Sequence, residues 1–278
     1  MYLLWLRVAA ILYAAASVAV IPAVLYSHVR WRSICVHVGG IALFFHFVSV
    51  VEMLVTAHRW VPVGVRDMES LLGFAVAALF FIVWWLYEAI SLGIFALPVT
   101  FFLVLVPALG PGGYIFPSQG VRTSWLIAHI AALLVAYAAL GFSILASVLY
   151  LVQERRLKSK LKPGTDSGWI PFEWLPPLDT LERIAYATLE FGFPCMTVGL
   201  VIGAILVQET PLGASYYLDP KVIASFVCWF VYVLLLLVRR STGLRGRRAA
   251  YLSGAVFVVM MAVWAANLIH HVHRYGAP

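Results

Sequence analysis

Eight apolar runs, each long enough to cross a bilayer, constrain this chain more than anything else in it; they fall at about 3–26, 35–57, 69–88, 91–109, 124–152, 184–207, 222–239 and 250–271. A helix rises 1.5 Å per residue, so about 20 apolar residues span the hydrocarbon core. Inside lipid the backbone must satisfy its own hydrogen bonds, and runs of this length do so as helices. The expected fold is therefore all-α, a polytopic integral membrane protein of about eight transmembrane helices. Residues 1–278 form one membrane-embedded domain. Only 11% of the residues are charged, against about 25% in soluble domains. Too few charges remain to build a water-facing shell, which excludes a soluble enzyme and a disordered chain.

The charges that are present sit between the runs. Thirteen Lys and Arg residues fall in the loops after runs one, three, five and seven, and five fall in the remaining loops and the C-terminal tail. The positive-inside rule then puts both termini outside and the basic loops in the cytoplasm. The largest of these is the cytoplasmic loop 153–183, whose Pro163-Gly164 to Gly168 stretch reads as a hinge. A net charge of +7 is accounted for by this topology and by anionic lipid headgroups, with no nucleic acid required. The first run lacks a basic leader and is followed by further spans, so it reads as a retained helix and not a signal peptide. Cys35, Cys195 and Cys228 lie in apolar stretches without CxxC spacing and read as small buried hydrophobes.

Soluble catalytic signatures such as GxxxxGK[ST], HExxH and GxSxG do not occur. Asp179 and Glu182 have the spacing of a capping box ahead of the sixth run. Gly199 and Gly203 have the spacing of close helix packing. Glu52 is the one carboxylate well inside a run and reads as a packing or snorkelling group. What remains is histidine. A neutral imidazole can ligate haem iron, or it can be a satisfied core group. His46 lies in mid-run, where burial is costly unless the ring is used or bonded. His129 lies in the first turns of the fifth run, and His270, His271 and His273 end the eighth. On the charge-derived topology, His129 and the terminal cluster share the outer side.

At this point the chain resembles the cytochrome c assembly family of integral membrane haem-handling proteins, and within it the shorter HemX-like branch. The resemblance is carried by Ala128-His129 through Tyr137, then Leu149-Tyr150-Leu151-Val152-Gln153-Glu154-Arg155-Arg156-Leu157-Lys158. It continues through Leu178-Asp179-Thr180-Leu181-Glu182-Arg183, Gly192-Phe193-Pro194 and Gly199 to Gly203. Asp219-Pro220-Lys221, Trp229 to Tyr232, Gly246 to Tyr251 and His273-Arg274-Tyr275-Gly276 follow in order, and Met68-Glu69-Ser70-Leu71 precedes them. This resemblance implies that His129 and His273 ligate one non-covalent haem b beneath an outer loop at about 208–221. It also implies that His46 is associated with haem on its way across the membrane.

The departures are as informative. Where the family has three tryptophans in that loop, this chain has Leu212 through Val222, leaving Tyr216 and Tyr217 as aromatics and Asp219 beside them. Leu237 stands where full-length synthases carry a second membrane histidine. The expected site is thus His129, His273, His46, Tyr216 and Asp219, with the haem iron held by His129 and His273. The expected role is a haem-handling factor of c-type cytochrome biogenesis or haem homeostasis in the bacterial plasma membrane, more an assembly factor than a complete synthase. Its partners would be haem and other cytochrome c maturation proteins. An alternative implied by the HemX-like branch is regulation of glutamyl-tRNA reductase level. A small-solute transporter and a membrane electron-transfer cytochrome are two further classes. The first calls for paired intramembrane acids and the second for two histidine pairs.

Overall fold

A computed structural model describes residues 1–26, 29–55, 64–110, 124–160, 175–208, 220–241 and 246–254. They form helices α1 (Tyr2–Leu25), α2 (Val29–Val55), α3 (Val65–Tyr87), α4 (Gly93–Ala108), α5 (Ser124–Lys160), α6 (Leu178–Gln208) and α7 (Pro220–Ser241). A further helical stretch, α8, occupies 247–254. Seven helices among the described residues are long and apolar enough to cross a membrane, so the chain is an all-α polytopic membrane protein. The eighth expected span begins in α8, and the rest of it lies outside the described residues, as do His270, His271, His273, Tyr216 and Asp219.

The helix ends follow local chemistry. Glu88 adopts φ +52° and closes α3, its N–H returning to the carbonyl of Trp84. A short 3-10 turn at Ile90–Leu92 then reverses the chain into α4. Gly110, at φ +127°, ends that hairpin in a conformation open to glycine. Helix α5 continues to Lys160, beyond its apolar run, because Gln153 through Lys158 are good helix formers once clear of lipid. Lys158 and Glu154 support that extension with an i,i+4 ion pair at 2.5 Å. The capping box expected before the sixth run does not form. Helix α6 starts at Leu178, Asp179 pairs forward with Arg183 at 2.8 Å, and Glu182 is turned to other partners described below.

Neighbouring helices run antiparallel. At one end of the bundle the hydroxyl of Ser49 donates to the carbonyl of Tyr2 at 2.8 Å. At the same end Arg7 donates to Ala108 at 3.0 Å and Arg66 donates to Gly110, and the Met1 ammonium faces Glu52 at 3.8 Å. We call this the Met1 end. Helices α1 to α4 pack as one group around Tyr13, Val20, Phe80, Leu92 and Leu97. The α5–α6 pair continues that core through Phe142, Ala146, Leu181 and Ile184. A second apolar cluster ties α5 and α6 to α7 through Leu140, Leu189, Met196, Tyr232 and Leu235. Lipid offers apolar surface as readily as a neighbouring helix does, so close contact at small residues holds such a bundle together.

Candidate functional site

That principle is clearest where α6 meets α5. A Cβ on Gly192 would touch the Cβ of Ala139 at 3.0 Å, one on Gly199 the Leu133 side chain at 2.7 Å, and one on Gly203 the His129 ring at 2.6 Å. The three glycines stand seven and four residues apart, along one stripe of α6. They let α5 approach until the imidazole of His129 lies against the bare backbone. The Gly199–Gly203 spacing is thus helix packing, as expected, and what it packs against is the candidate ligand.

His129 is half-buried. Its Nδ1 lies 2.6 Å from the carbonyl oxygen of Gly199. A carbonyl can only accept, so Nδ1 carries the proton and donates. In the neutral ring Nε2 then keeps its lone pair, and Nε2 makes no hydrogen bond among the described residues. This is the arrangement by which outer contacts set the tautomer and aim of a metal-binding histidine. The residues at this end fit an imidazole ligand on two counts: Nδ1 is engaged by the Gly199 carbonyl, and the ring is seated against Gly203.

His46 is placed differently. It is 0% exposed, with Nε2 3.1 Å from the hydroxyl of Ser70 on α3. Tyr13 of α1 and Phe74 of α3 meet the ring edge-on, at 5.9 and 5.4 Å between centroids. Nδ1 has no hydrogen-bond partner among the described residues. The ring is closed in on all sides by α1, α2 and α3, so in this packing it has no open edge for a porphyrin. Leu237 is 58% exposed on α7, an outward-facing position that takes no part in the packing around His46.

An apolar groove of about 210 Å³ lies between α2, α3 and α5, lined by Leu54, Phe74, Ile127, Ile130, Leu134 and Val135 among others. It opens on the side of α5 turned away from α6, and so away from His129. Phe74 separates it from His46. The sequence reading missed three residues that matter here: Ser70, Gly203 as a seat for His129, and Glu182. Ser70 lay inside the Met68 to Leu71 segment, and Gly203 inside a recognised small-residue pair, yet neither showed its partner.

The opposite end of the bundle is basic. There Glu182 accepts from the backbone N–H of Gly246 at 3.1 Å and faces Arg239 at 3.9 Å. The Arg239 guanidinium lies 4.7 Å over the Tyr186 ring. Among the described residues no group of three or more His, Cys, Asp or Glu side chains forms a metal site, and Cys35, Cys195 and Cys228 are free thiols.

A multi-span helical bundle that seats a histidine between two helices at one end defines the class: an all-α polytopic membrane protein. Its family follows from comparison. The family model described as cytochrome C assembly protein matches residues 5–273, and the chain belongs to that family. It is 27% identical over 253 residues to a cytochrome c biogenesis protein CcsA of Guillardia theta, covering 80% of this chain and 81% of the relative. A protein of the same name from Gloeobacter violaceus is 26% identical over 287 residues, covering 80% and 82%. One from a Synechococcus strain is 33% identical over 201 residues, covering 66% of this chain but 60% of the relative. No solved structure matches.

Proposed function

We propose that this protein binds haem b non-covalently at the Met1 end of α5 and serves c-type cytochrome biogenesis from the plasma membrane. His129, through Nε2, and His273 would hold the haem iron, with Tyr216 and Asp219 contributing from the segment at about 208–221. The observation that carries the reading is the hydrogen bond from His129 Nδ1 to Gly199, 2.6 Å long, which leaves Nε2 as the ligating nitrogen. When bound, haem supplies an iron that takes two imidazoles and vinyl groups to which an apocytochrome thiol adds. The residues of this chain hold and orient it. Gly199 fixes the proton on Nδ1, Gly203 gives the ring its seat, and the stripe of glycines lets α5 approach closely. The thiol belongs to the apocytochrome, so no nucleophile is required here. His46, closed in and bonded to Ser70, serves packing in this proposal and not ligation.

The orientation proposed is with both termini outside. Its support is that Arg155, Arg156, Lys158, Arg183, Arg239 and Arg240 gather at the end opposite Met1, as cytoplasmic loops do. What the relatives' names carry is cytochrome c biogenesis; the reading as a regulator of glutamyl-tRNA reductase gains nothing from them.

The test is an absorption spectrum of the detergent-purified protein before and after dithionite. A Soret band with sharp reduced α and β bands is expected, lost in the His129→Ala, His273→Ala double variant. Equal haem in wild type and double variant overturns the assignment.

A further inference from the structure

At the basic end, two cations converge on one phenol. Arg155, in the extension of α5, donates to the Tyr251 hydroxyl of α8 at 3.3 Å. Arg247, one turn before Tyr251, donates to the same oxygen at 3.4 Å, with its guanidinium 5.4 Å from the Tyr251 ring centre. The two guanidinium groups therefore stand within about 7 Å of each other, close enough to repel. Glu154, the residue before Arg155, attracts Arg247 but is itself paired with Lys158 at 2.5 Å, so its charge is shared.

The arrangement is held from below. Gly246, the residue before Arg247, gives its N–H to Glu182 at 3.1 Å. A Cβ there would lie 2.7 Å from the Tyr150 hydroxyl, and the backbone sits at φ +67°. The start of α8 is thus clamped to α5 and α6, and Arg247 and Tyr251 are presented to Arg155 by a fixed backbone. With its oxygen accepting from both arginines, the Tyr251 hydroxyl still has its own hydrogen to donate. Two guanidinium groups and one O–H gathered at this place supply the kind of donors a tetrahedral oxyanion takes.

The neighbouring surface says which one. Val148 and Val152 precede Arg155 on α5 at helical spacing and are 47% and 37% exposed, an apolar track leading from the cations toward the middle of the membrane. A soluble phosphate has no use for that track; acyl chains do.

We propose that Arg155, Arg247 and Tyr251 bind the headgroup phosphate of an anionic phospholipid, whose acyl chains lie along Val148 and Val152. The full-length protein is reconstituted in nanodiscs of phosphatidylcholine alone or with phosphatidylglycerol, and its thermal midpoint and retained lipid are measured. Wild type is expected to be stabilised by phosphatidylglycerol and to retain it several-fold over phosphatidylcholine. The R155Q/R247Q variant is expected to lose that preference, and Tyr251→Phe to weaken it. The charge-matched R240Q/R248Q variant, altered at exposed positions beside the site, is expected to keep it. Loss of preference in both double variants would reduce the effect to bulk charge and overturn the site. So would an unchanged preference in R155Q/R247Q. Equal stabilisation by millimolar inorganic phosphate in phosphatidylcholine discs would assign the site to free phosphate and overturn the lipid reading.

Discussion

The imidazole of His129 occupies the space a methyl group on Gly203 would need: the ideal Cβ position lies 2.6 Å from Cε1 and 2.9 Å from Nδ1 of the ring. One turn earlier on α6 the carbonyl of Gly199 takes the Nδ1 proton. The ring is thus located by one residue and oriented by another, four positions apart on the same helix face.

Gly203→Ala is therefore expected to push the ring out of its seat. Overpacking of this kind costs about 1–3 kcal/mol, and the displaced imidazole loses its bond to Gly199. Haem retained per protein should fall several-fold, with the reduced α and β bands broadened. Gly141→Ala is the matched control, since a Cβ there meets nothing within 4 Å. It should leave the spectrum unchanged and be neutral or slightly stabilising. Identical haem content in both variants would detach the glycine seat from ligation.

His46 leads to the opposite expectation. Ser70→Ala leaves Nε2 without its partner beside an Nδ1 that has none, costing about 1–3 kcal/mol. His46→Ala opens a cavity among Tyr13 and Phe74 and should cost about 2–4 kcal/mol. Both losses appear as lower thermal midpoints in detergent. Haem per folded protein should stay at the wild-type level in each. A folded His46 variant that selectively loses haem would return this residue to the ligand set.

Much of the architecture was legible because lipid makes it so. Runs of spanning length have no alternative to helix, and the seven spanning helices among the described residues follow the first seven apolar runs apart from their ends. Glycine spacing on α6 announced close packing, yet one chain's spacing gives no hint of which partner residue fills the gap. That partner depends on how α5 is rotated and shifted along α6, a property of the assembled pair. Glu182 shows the same limit. Its position three residues after Asp179 suggested a local cap, but Arg239 and the N–H of Gly246 lie 57 and 64 residues away in the chain and compete successfully. His46 was legible as a residue that had to be satisfied in mid-membrane, while Ser70 as its partner was not.

That competition at Glu182 makes two variants informative. Glu182→Gln keeps an acceptor for Gly246 and removes the charge facing Arg239, whose side chain is 7% exposed. Glu182→Ala removes both. Arg239 also lies over Tyr186, so the charge alone should cost about 1 kcal/mol, and the alanine variant about 1 kcal/mol more for the lost hydrogen bond. Limited trypsin digestion should follow the same order, with cleavage near residues 242–248 fastest in Glu182→Ala. Equal protection in all three proteins would mean that α8 is held by packing alone.

Orientation is open to a direct measurement, and the two ends offer well-separated positions for it. In a background with Cys35, Cys195 and Cys228 replaced by alanine, a single cysteine at Leu109 marks the Met1 end, where that residue is 71% exposed. A single cysteine at Lys158 marks the basic end, where the side chain is 60% exposed. A membrane-impermeant maleimide added to intact bacterial spheroplasts should label Leu109→Cys at once and Lys158→Cys only after permeabilisation. This follows from the energetics of loop retention, since arginines and lysines near a span resist translocation. It also bears on the proposed haem site, because His129 lies at the Met1 end and must then receive its ligand on the outer side. The reverse labelling pattern would put His129 on the cytoplasmic side, where it would face newly made haem before export, and the basic end would have to be explained by something other than topology.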